Sequence, residues 1–458
     1  MRIETHNKTR NKTRKTRENK KTKKTRKTRE NKKRGKPVLL RIHNYNVLFI
    51  KNKSKSITVQ SNIMNGFVNE DKKNIGVNHL LEHVISNAYK KCVNYDCYHF
   101  LNNAGLLSNA YTENNIIQYY VTGLNKDVEK MIGYIVNITI NPSFDESLIT
   151  KEKKAVINEL MISLDDSDTQ LYNKMNKQFF KIAGLQYMDD NEHMIDIIKK
   201  FNYEYLMRYY HKNYNNENTL FIVSGDFEMT HVTTLFRNLL PLHLVNKTKF
   251  NYKRVNCYTN KSGIFHIKDN GLSSTKILFY FPTYFYINTH KYICLKITAS
   301  ILQTLLFEQL RVKKNLIYNI KPETVNNLCG TIQQLIVNTK NNNVAEVINE
   351  IIMLLNKYKG EDIDNVSIIA EKQRYLLNFY ETSYNDADLA NFYGPQYMYR
   401  HFLNTKIMSP EEVQDSVNKI TVKDIRAIIR EVFEFKKCMI VYSNNEEPLK
   451  APIKSVFI

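Results

Sequence analysis

Apolar residues recur along the chain in two alternating patterns. Short stretches rich in Val, Ile, Phe and Tyr predict strands, and stretches with apolar positions three or four residues apart predict helices. In the first half, predicted strands cover residues 45–51, 57–68, 115–123 and 219–226, and predicted helices cover 76–90, 126–139 and 147–164. This order predicts an α+β fold in which a sheet is flanked by helices.

The second half repeats this order of elements. Strands are predicted at 263–268, 275–282, 329–338 and 436–442, with helices near 292–312 and 343–358. Two capping boxes mark later helix starts, at Ser409-Pro410-Glu411-Glu412 and Thr421-Val422-Lys423-Asp424. Because 458 residues exceed the usual size of one core, we predict two domains of related fold, residues 37–245 and 246–458, with a linker at about 241–260.

The predicted helix at 76–90 carries the sequence His79-Leu80-Leu81-Glu82-His83. Residues four apart on a helix lie on one face, so both imidazoles can bind one metal ion. Glu82 borders that face, where it can reach a water on the metal. This is the H-x-x-E-H order of the inverzincins, the reverse of H-E-x-x-H. Asn78 is the predicted N-cap. The alternative interpretation is a helix whose two histidines simply face solvent.

A catalytic zinc site usually has a third protein ligand and an open water position. The predicted helix at 147–164 contains Glu152 and Glu159, which lie seven residues apart and therefore on one face, two turns from each other. One of these carboxylates could complete the ligand set, and the other could orient a ligand through a hydrogen bond. The alternative is a solvated charged face.

These residues together resemble the M16 metallopeptidases. In that family an H-x-x-E-H helix is followed about 75 residues later by a Glu in a Val-Ile-x-x-Glu helix, which corresponds here to Val156-Ile157-Asn158-Glu159. Between the two helices, Asn103-Ala104-Gly105 and Ser108-Asn109-Ala110-Tyr111-Thr112 resemble the segment that borders the family's cleft. A further match is Leu310-Arg311, with Tyr318 seven residues later.

The resemblance implies a half-size chain of two homologous M16-type domains, the first of which binds one Zn²⁺. It implies that His79 (through Nε2 or Nδ1), His83 and Glu159 hold the metal. Glu152 corresponds to the family's carboxylate behind the ligands. Glu82 corresponds to the general base that takes a proton from the attacking water and returns it to the leaving amine.

The resemblance also assigns residues that act on the substrate. Arg311 and Tyr318 would be catalytic residues that reach across from the second domain and steady the substrate backbone or the developing oxyanion. Asn109 and Ala110 would bind the substrate and align it as an added strand. The expected activity is that of a zinc metalloendopeptidase, a hydrolase acting on peptides or unfolded segments. Such a chain would pair with itself or with a second M16-like subunit to enclose its substrate.

The first 36 residues differ from the rest in composition. They contain 18 Lys or Arg and three Glu, a net charge of +15 out of +22 for the chain, which leaves +22 − 15 = +7 for the other 422 residues. The segment 15–21 recurs intact at 27–33. So little apolar surface predicts a disordered tail. Such tails bind nucleic acid or anionic surfaces or act as nuclear addresses, and equally they are plain solvated extensions.

The location of the protein is predicted from what the sequence lacks. The basic tail has no apolar core of a signal peptide, and it lacks the Ser residues and amphipathic face of a mitochondrial transit peptide. We find no run of about 18 apolar residues and predict no membrane span. Six Cys without zinc-finger spacing fit reduced thiols. We therefore predict an intracellular protein, cytoplasmic or, alternatively, in the nucleus or a virion.

Two other classes of function compete with the peptidase. The first is a catalytically inactive M16-like scaffold or partner subunit. The presence of every metal-binding and catalytic residue of the family disfavours it. The second is a nucleic-acid-associated protein that acts through its basic tail. It is disfavoured because no RNA- or DNA-binding motif follows residue 36.

Overall fold

The computed structural model describes residues 36–449, apart from 165, 243–256, 260, 269–273, 328, 362, 383–384, 404 and 447. The predicted disordered tail, except its last residue, lies outside the described residues. The same is true of most of the predicted linker, since only 241, 242 and 257–259 of that range are described.

The first half of the chain forms a six-stranded sheet. Its strands are β1 (Val38–Ile42), β2 (Tyr45–Lys51), β3 (Ser56–Ile63), β4 (Leu107–Thr112), β5 (Ile117–Leu124) and β6 (Thr219–Gly225). They lie in the order β1-β2-β6-β3-β5-β4. β2 and β6 are parallel, and the other neighbours are antiparallel.

The second half forms a five-stranded sheet with the same arrangement. Its strands are β7 (Gly263–Lys268), β8 (Thr275–Pro282), β9 (Ile317–Asn327), β10 (Gly330–Thr339) and β11 (Met439–Asn444). The order is β7-β11-β8-β10-β9, again with one parallel pair, β7 and β11. The predicted repeat of an α+β fold is therefore confirmed. The edge strands β1, β4 and β9 were not predicted, because their partly exposed residues give a weak apolar pattern.

The helices of the first half are α1 (Val77–Ser86), α2 (Cys97–Asn102), α3 (Val128–Ile140), α4 (Glu146–Leu164), α5 (Ser167–Phe179), α6 (Ala183–Tyr187), α7 (Asn191–Ile198), α8 (Tyr203–Asn213) and α9 (Met229–Leu239). Those of the second half are α10 (His290–Phe307), α11 (Val344–Tyr358), α12 (Asn365–Glu381), α13 (Asp386–Leu403), α14 (Pro410–Lys419) and α15 (Val422–Val432). Both predicted capping boxes are confirmed at α14 and α15.

Each sheet packs one face against helices of its own half, and the two resulting cores are separate. The opposite faces are covered by an exchange of helices. α5 of the first half packs Leu171 and Met175 against Tyr280 and Val441 of the second sheet. In return, α13 packs Leu389 and other apolar residues against Leu48 and its neighbours in the first sheet. The two halves are therefore joined by buried apolar contacts as well as by the chain.

Among the described residues, one helix has the length and apolar composition of a membrane span. α10 continues into a π-helix, Glu308–Lys313, and the combined segment has a mean hydropathy of 1.3 in its most apolar window. The prediction of no membrane span overlooked this segment. Over half of that window is buried in the protein, and ten residues of α10 lie in the interior. Packing in the second core accounts for its apolar composition.

The cysteines differ from the prediction of reduced thiols. Cys92 is bonded to Cys97, and Cys257 is bonded to Cys329, whereas Cys294 and Cys438 are free and buried. The first pair closes a short loop just after α1, and the second joins the start of the second half to its sheet. Cysteine usage therefore gives no support to an intracellular location, which stays a prediction from the other features.

Candidate metal centre

The helix α1 is held in place by a carboxylate that the sequence did not reveal. Both oxygens of Glu70 accept hydrogen bonds from the first turn, from the N–H groups of Gly76 and Asn78, at 2.8 Å each. Glu70 is buried, and burial raises its pKa to about 8 despite these bonds. These bonds satisfy N–H groups that the start of a helix leaves without a partner inside the helix. Only the fold brings Glu70 to this position, since nothing in its local sequence marks it as a cap.

The N-cap of α1 is Gly76 and not Asn78 as predicted. Gly76 has a φ of 84°, in the left-handed region that favours glycine. A Cβ there would lie 2.6 Å from Cγ of Met194 and 2.9 Å from Cδ1 of Ile198. Asn78 instead lies inside the helix, where its buried side chain donates to the carbonyl of Gly66. Because Gly76 has no side chain, the start of α1 can approach α7 closely.

His79, His83 and Glu159 converge between α1 and α4. The Nε2 atoms of the two histidines lie 3.6 Å from the same carboxylate oxygen, Oε2 of Glu159. One nitrogen or oxygen of each residue lies within 4.8 Å of the others. The rings meet edge to face with their centroids 5.0 Å apart. The three side chains that the sequence predicted as metal ligands therefore converge on one place between the two helices.

Glu152 lies behind His83. Its Oε2 is 3.5 Å from Nδ1 of His83, and its Oε1 accepts from Nδ2 of Asn87 at 3.3 Å. Burial on its own lowers the pKa of His83, but the bond to Glu152 and the charges of Glu82 and Glu159 raise it above its ordinary value. A proton on Nδ1 directs the lone pair of Nε2 towards Glu159. Glu152 is thus placed to orient His83, and its side chain is nearly inaccessible.

Glu82 lies beside the two histidines and is 9 % exposed. Its Oε2 accepts a hydrogen bond of 3.0 Å from the hydroxyl of Thr112, at the end of β4. Burial raises the pKa of Glu82, although the nearby histidines and the Thr112 bond act in the opposite direction. A carboxylate of raised pKa next to a metal-binding face can hold a proton transiently, as a general base requires. Thr112 contributes a positioning bond that the sequence pattern did not assign.

The cleft above these residues has a volume of about 570 Å³ and is bordered by β4. Asn109 and Ala110 lie in this strand, which pairs with β5 on one side and is the last in the order of the described sheet. The Ala110 N–H donates to Oδ1 of Asn109. An extended peptide can add to such an edge through its main chain. The aromatic side chains of Tyr98 and Tyr111 also line the cleft and are exposed.

Arg311 and Tyr318 lie elsewhere. Arg311, in the π-helical turn after α10, donates from Nη1 to Oδ1 of Asn315 at 2.7 Å and to the carbonyl of Ile317 at 3.3 Å. Tyr318 is the second residue of β9 and is 47 % exposed. Among the described residues, every one that lines the metal cleft comes from the range 67–159. The structure thus brings together His79, His83, Glu159, Glu152, Glu82, Asn109 and Ala110, but it does not bring Arg311 or Tyr318 to them.

Comparisons with known proteins agree with this architecture. Residues 46–187 match the sequence model of Insulinase (Peptidase family M16), and residues 200–375 match that of the Peptidase M16 inactive domain. An uncharacterized zinc protease of Rickettsia felis is 20 % identical over 404 residues, 86 % of this chain and 93 % of that protein. The human mitochondrial-processing peptidase subunit beta is 30 % identical over 91 residues, 20 % of this chain and 19 % of that one.

A similar fold occurs among solved structures. A protease from Helicobacter pylori superimposes with a TM-score of 0.80 at 15 % sequence identity, and the match covers 90 % of this chain and 100 % of that one. At this identity the likeness concerns the fold alone. It extends over both sheets and therefore over the two halves as they are arranged here.

Proposed function

Because the chain belongs to peptidase family M16, we propose that it is a zinc-dependent endopeptidase that hydrolyses peptides or unfolded segments. The observation that carries the proposal is the separation of the candidate ligand atoms. Ligands about 2.1 Å from a tetrahedral zinc ion lie about 3.4 Å from one another. Both histidine Nε2 atoms lie 3.6 Å from Oε2 of Glu159. Two imidazoles and one carboxylate also form a donor set that zinc accepts, with one position left for water.

In this proposal each side chain has a distinct task. His79, His83 and Glu159 hold Zn²⁺, which when bound supplies a Lewis acid and lowers the pKa of water. Glu82 takes the proton of the attacking water and passes it to the leaving amine. Burial raises the pKa of Glu82, which favours uptake of that proton, and the Thr112 hydroxyl donates to Oε2 and fixes the direction of that oxygen. Glu152 keeps His83 in the tautomer that binds through Nε2.

The substrate is an extended peptide in this proposal. β4 is the last strand in the order of the described sheet and borders the cleft, so a peptide can pair with the main chain around Asn109 and Ala110 irrespective of its sequence. Tyr98 and Tyr111 add apolar surface on the cleft wall. A folded protein presents few free extended segments, and this favours peptides and unfolded segments as substrates.

A second subunit follows from the position of Arg311 and Tyr318. If these residues act on substrate as their family counterparts do, the cleft that they complete belongs to another chain, because their own cleft is lined by residues 67–159 among those described. The partner in this proposal is a second copy or an M16-like subunit. The similarity to the beta subunit of human mitochondrial-processing peptidase supports this arrangement.

The proposal is tested by zinc analysis and peptide cleavage with purified full-length protein. We expect about one zinc per chain, and we expect cleavage of an unstructured peptide library that a chelator abolishes and added zinc restores.

Glu82→Gln should keep zinc near the wild-type content and lose turnover, because an amide cannot accept the proton. Glu204→Gln, an exposed residue of α8, is the matched control. Turnover of Glu82→Gln within a few fold of wild type would contradict the assignment. Normal zinc with no cleavage by the wild type would favour the inactive partner subunit.

A further inference from the structure

The second half contains a cleft in the position that the metal cleft has in the first half. α10 and α12 pack together as α1 and α4 do. Between them lies a cavity of about 410 Å³. The residues that line it are Lys296, Ile297, Ser300, Glu371, Arg374, Tyr375, Asn378, Phe379 and Thr382. None of these residues takes part in the proposed peptidase mechanism.

The two clefts correspond residue by residue. Lys296 and Ser300 are four apart on α10, as His79 and His83 are on α1, and Glu371 and Asn378 are seven apart on α12, as Glu152 and Glu159 are on α4. A contact fixes the register. The Ser300 hydroxyl donates to Oε2 of Glu371 at 2.7 Å, where His83 contacts Oε2 of Glu152. Lys296 therefore takes the place of His79, Ala299 that of Glu82, Ser300 that of His83 and Asn378 that of Glu159.

The replaced residues change the charge of the cleft. An ammonium, a hydroxyl and an amide do not form a zinc site, and the ammonium of Lys296 is a fixed positive charge near the place that metal would occupy. Glu371 is buried and already forms an ion pair with Arg374. Lys296 has no carboxylate partner among the described residues, since its ammonium lies only over the rings of Tyr292 at 5.9 Å and Tyr375 at 6.0 Å. Lys296 and Arg374 are positive and Glu371 is negative, so the cleft has a net charge of +1.

The surroundings of the Lys296 ammonium are those expected of a site that binds an anion. Although Lys296 keeps exposed surface at the mouth of the cavity, desolvation by the surrounding protein lowers its pKa. An anion that enters the cavity would compensate this loss of hydration. Ile297, Tyr375 and Phe379 provide apolar walls next to the charge. The Asn378 amide adds a neutral hydrogen-bonding group to the lining.

We propose that this second cleft binds the C-terminal carboxylate of a peptide whose last side chain is apolar. Lys296 pairs with the carboxylate, and the last side chain packs against Tyr375 and Phe379. A peptide end would then bind at a site that cannot cleave it, on the helix pair equivalent to the metal-binding pair. The cleft would select for free C-terminal ends of peptides and would not contact the metal.

The site can be tested by photo-crosslinking, which does not depend on hydrolysis or on zinc. The probes are N-acetyl-4-benzoylphenylalanine and its C-terminal amide, applied to the full-length protein. We expect the free acid to label peptides of α10 and α12, located by mass spectrometry, about five- to tenfold more than the amide does. Lys296→Met should reduce labelling by the acid to the level of the amide. Lys423→Met, an exposed lysine on α15, should leave it unchanged.

Three outcomes would overturn the proposal. Equal labelling by acid and amide would remove the role of the carboxylate. Unchanged labelling of a folded Lys296→Met variant, with folding checked by circular dichroism, would remove the role of the ammonium. The third uses an amide probe that carries an internal glutamate. If that probe labels as strongly as the free acid and depends on Lys296 equally, the assignment to the C-terminal end is wrong. Loss of peptidase activity is not a readout, so failure here is distinct from failure of the proposed function.

Discussion

The two glutamates of α4 provide the sharpest test of the metal centre. Glu159 lies 3.6 Å from Nε2 of both histidines, and about half of its side chain is exposed to the cleft. Glu152 is nearly inaccessible, and its contact with His83 is to the opposite ring nitrogen, Nδ1. The same substitution to Gln at each position therefore removes one charge at nearly constant shape. At Glu159 it removes a metal ligand, and at Glu152 it removes a hydrogen-bond partner of a ligand.

These positions predict different losses of zinc affinity. A four-ligand zinc site contributes about 10–16 kcal/mol in all. One ligand is then worth roughly 2.5–4 kcal/mol, which corresponds to an affinity loss of about 70- to 900-fold for Glu159→Gln. Removal of the group that orients a ligand typically costs about 10- to 100-fold. Glu152→Gln should therefore bind zinc about an order of magnitude more tightly than Glu159→Gln does.

The assay is competition for zinc with a chromophoric chelator at fixed pH and ionic strength. Glu204→Gln on α8 controls for the loss of one acidic charge, because that residue is exposed and distant in sequence from the site. Circular dichroism checks that each variant is folded. If Glu152→Gln loses its zinc while Glu159→Gln retains it, the two carboxylates have been assigned to the wrong roles. Equal losses would mean that both bind the metal.

Other predictions follow from the same contacts. His83 binds metal only when neutral, and its pKa is raised above the ordinary histidine value in the metal-free protein, so zinc affinity should begin to fall at a higher pH than an ordinary histidine ligand would give. In Glu152→Gln, which lacks the largest contribution that raises the pKa, this fall should occur at lower pH. A mixture of Glu82→Gln and Tyr318→Phe, each inactive or impaired alone, should regain peptide hydrolysis, because one cleft of a mixed dimer would have both groups. No recovery after subunit exchange would show that Tyr318 does not act across chains. Met175→Ala should lower the free energy of unfolding by about 2–5 kcal/mol, because this side chain is 2 % exposed between α5 and the second sheet; a denaturant midpoint equal to the wild-type value would contradict that packing.

Periodicity in the sequence was sufficient to predict which side chains share the metal-binding face. It was insufficient to predict the residues that position that face. His79 and His83 lie about one turn apart on one helix, and Glu152 and Glu159 lie about two turns apart on another, so local spacing alone determines which side chains share a face. The capping carboxylate Glu70 could not be found in this way, because its partners belong to a helix whose approach depends on the whole fold. The same reason applies to the disulfides, since cysteine spacing gives no pairing.

The exchange of helices connects the helix of one candidate ligand, through the next helix along the chain, to the second half. Glu159 is on α4, which ends at Leu164, and α5 begins three residues later at Ser167. α5 is fixed against the second sheet by apolar contacts and by the ion pair of Asp168 with Lys276 on β8. The histidines are on α1, and α1 and α4 both pack in the core of the first half. The helix of the third candidate ligand is therefore held in the same core as the histidines, and its continuation along the chain is bound to the other half.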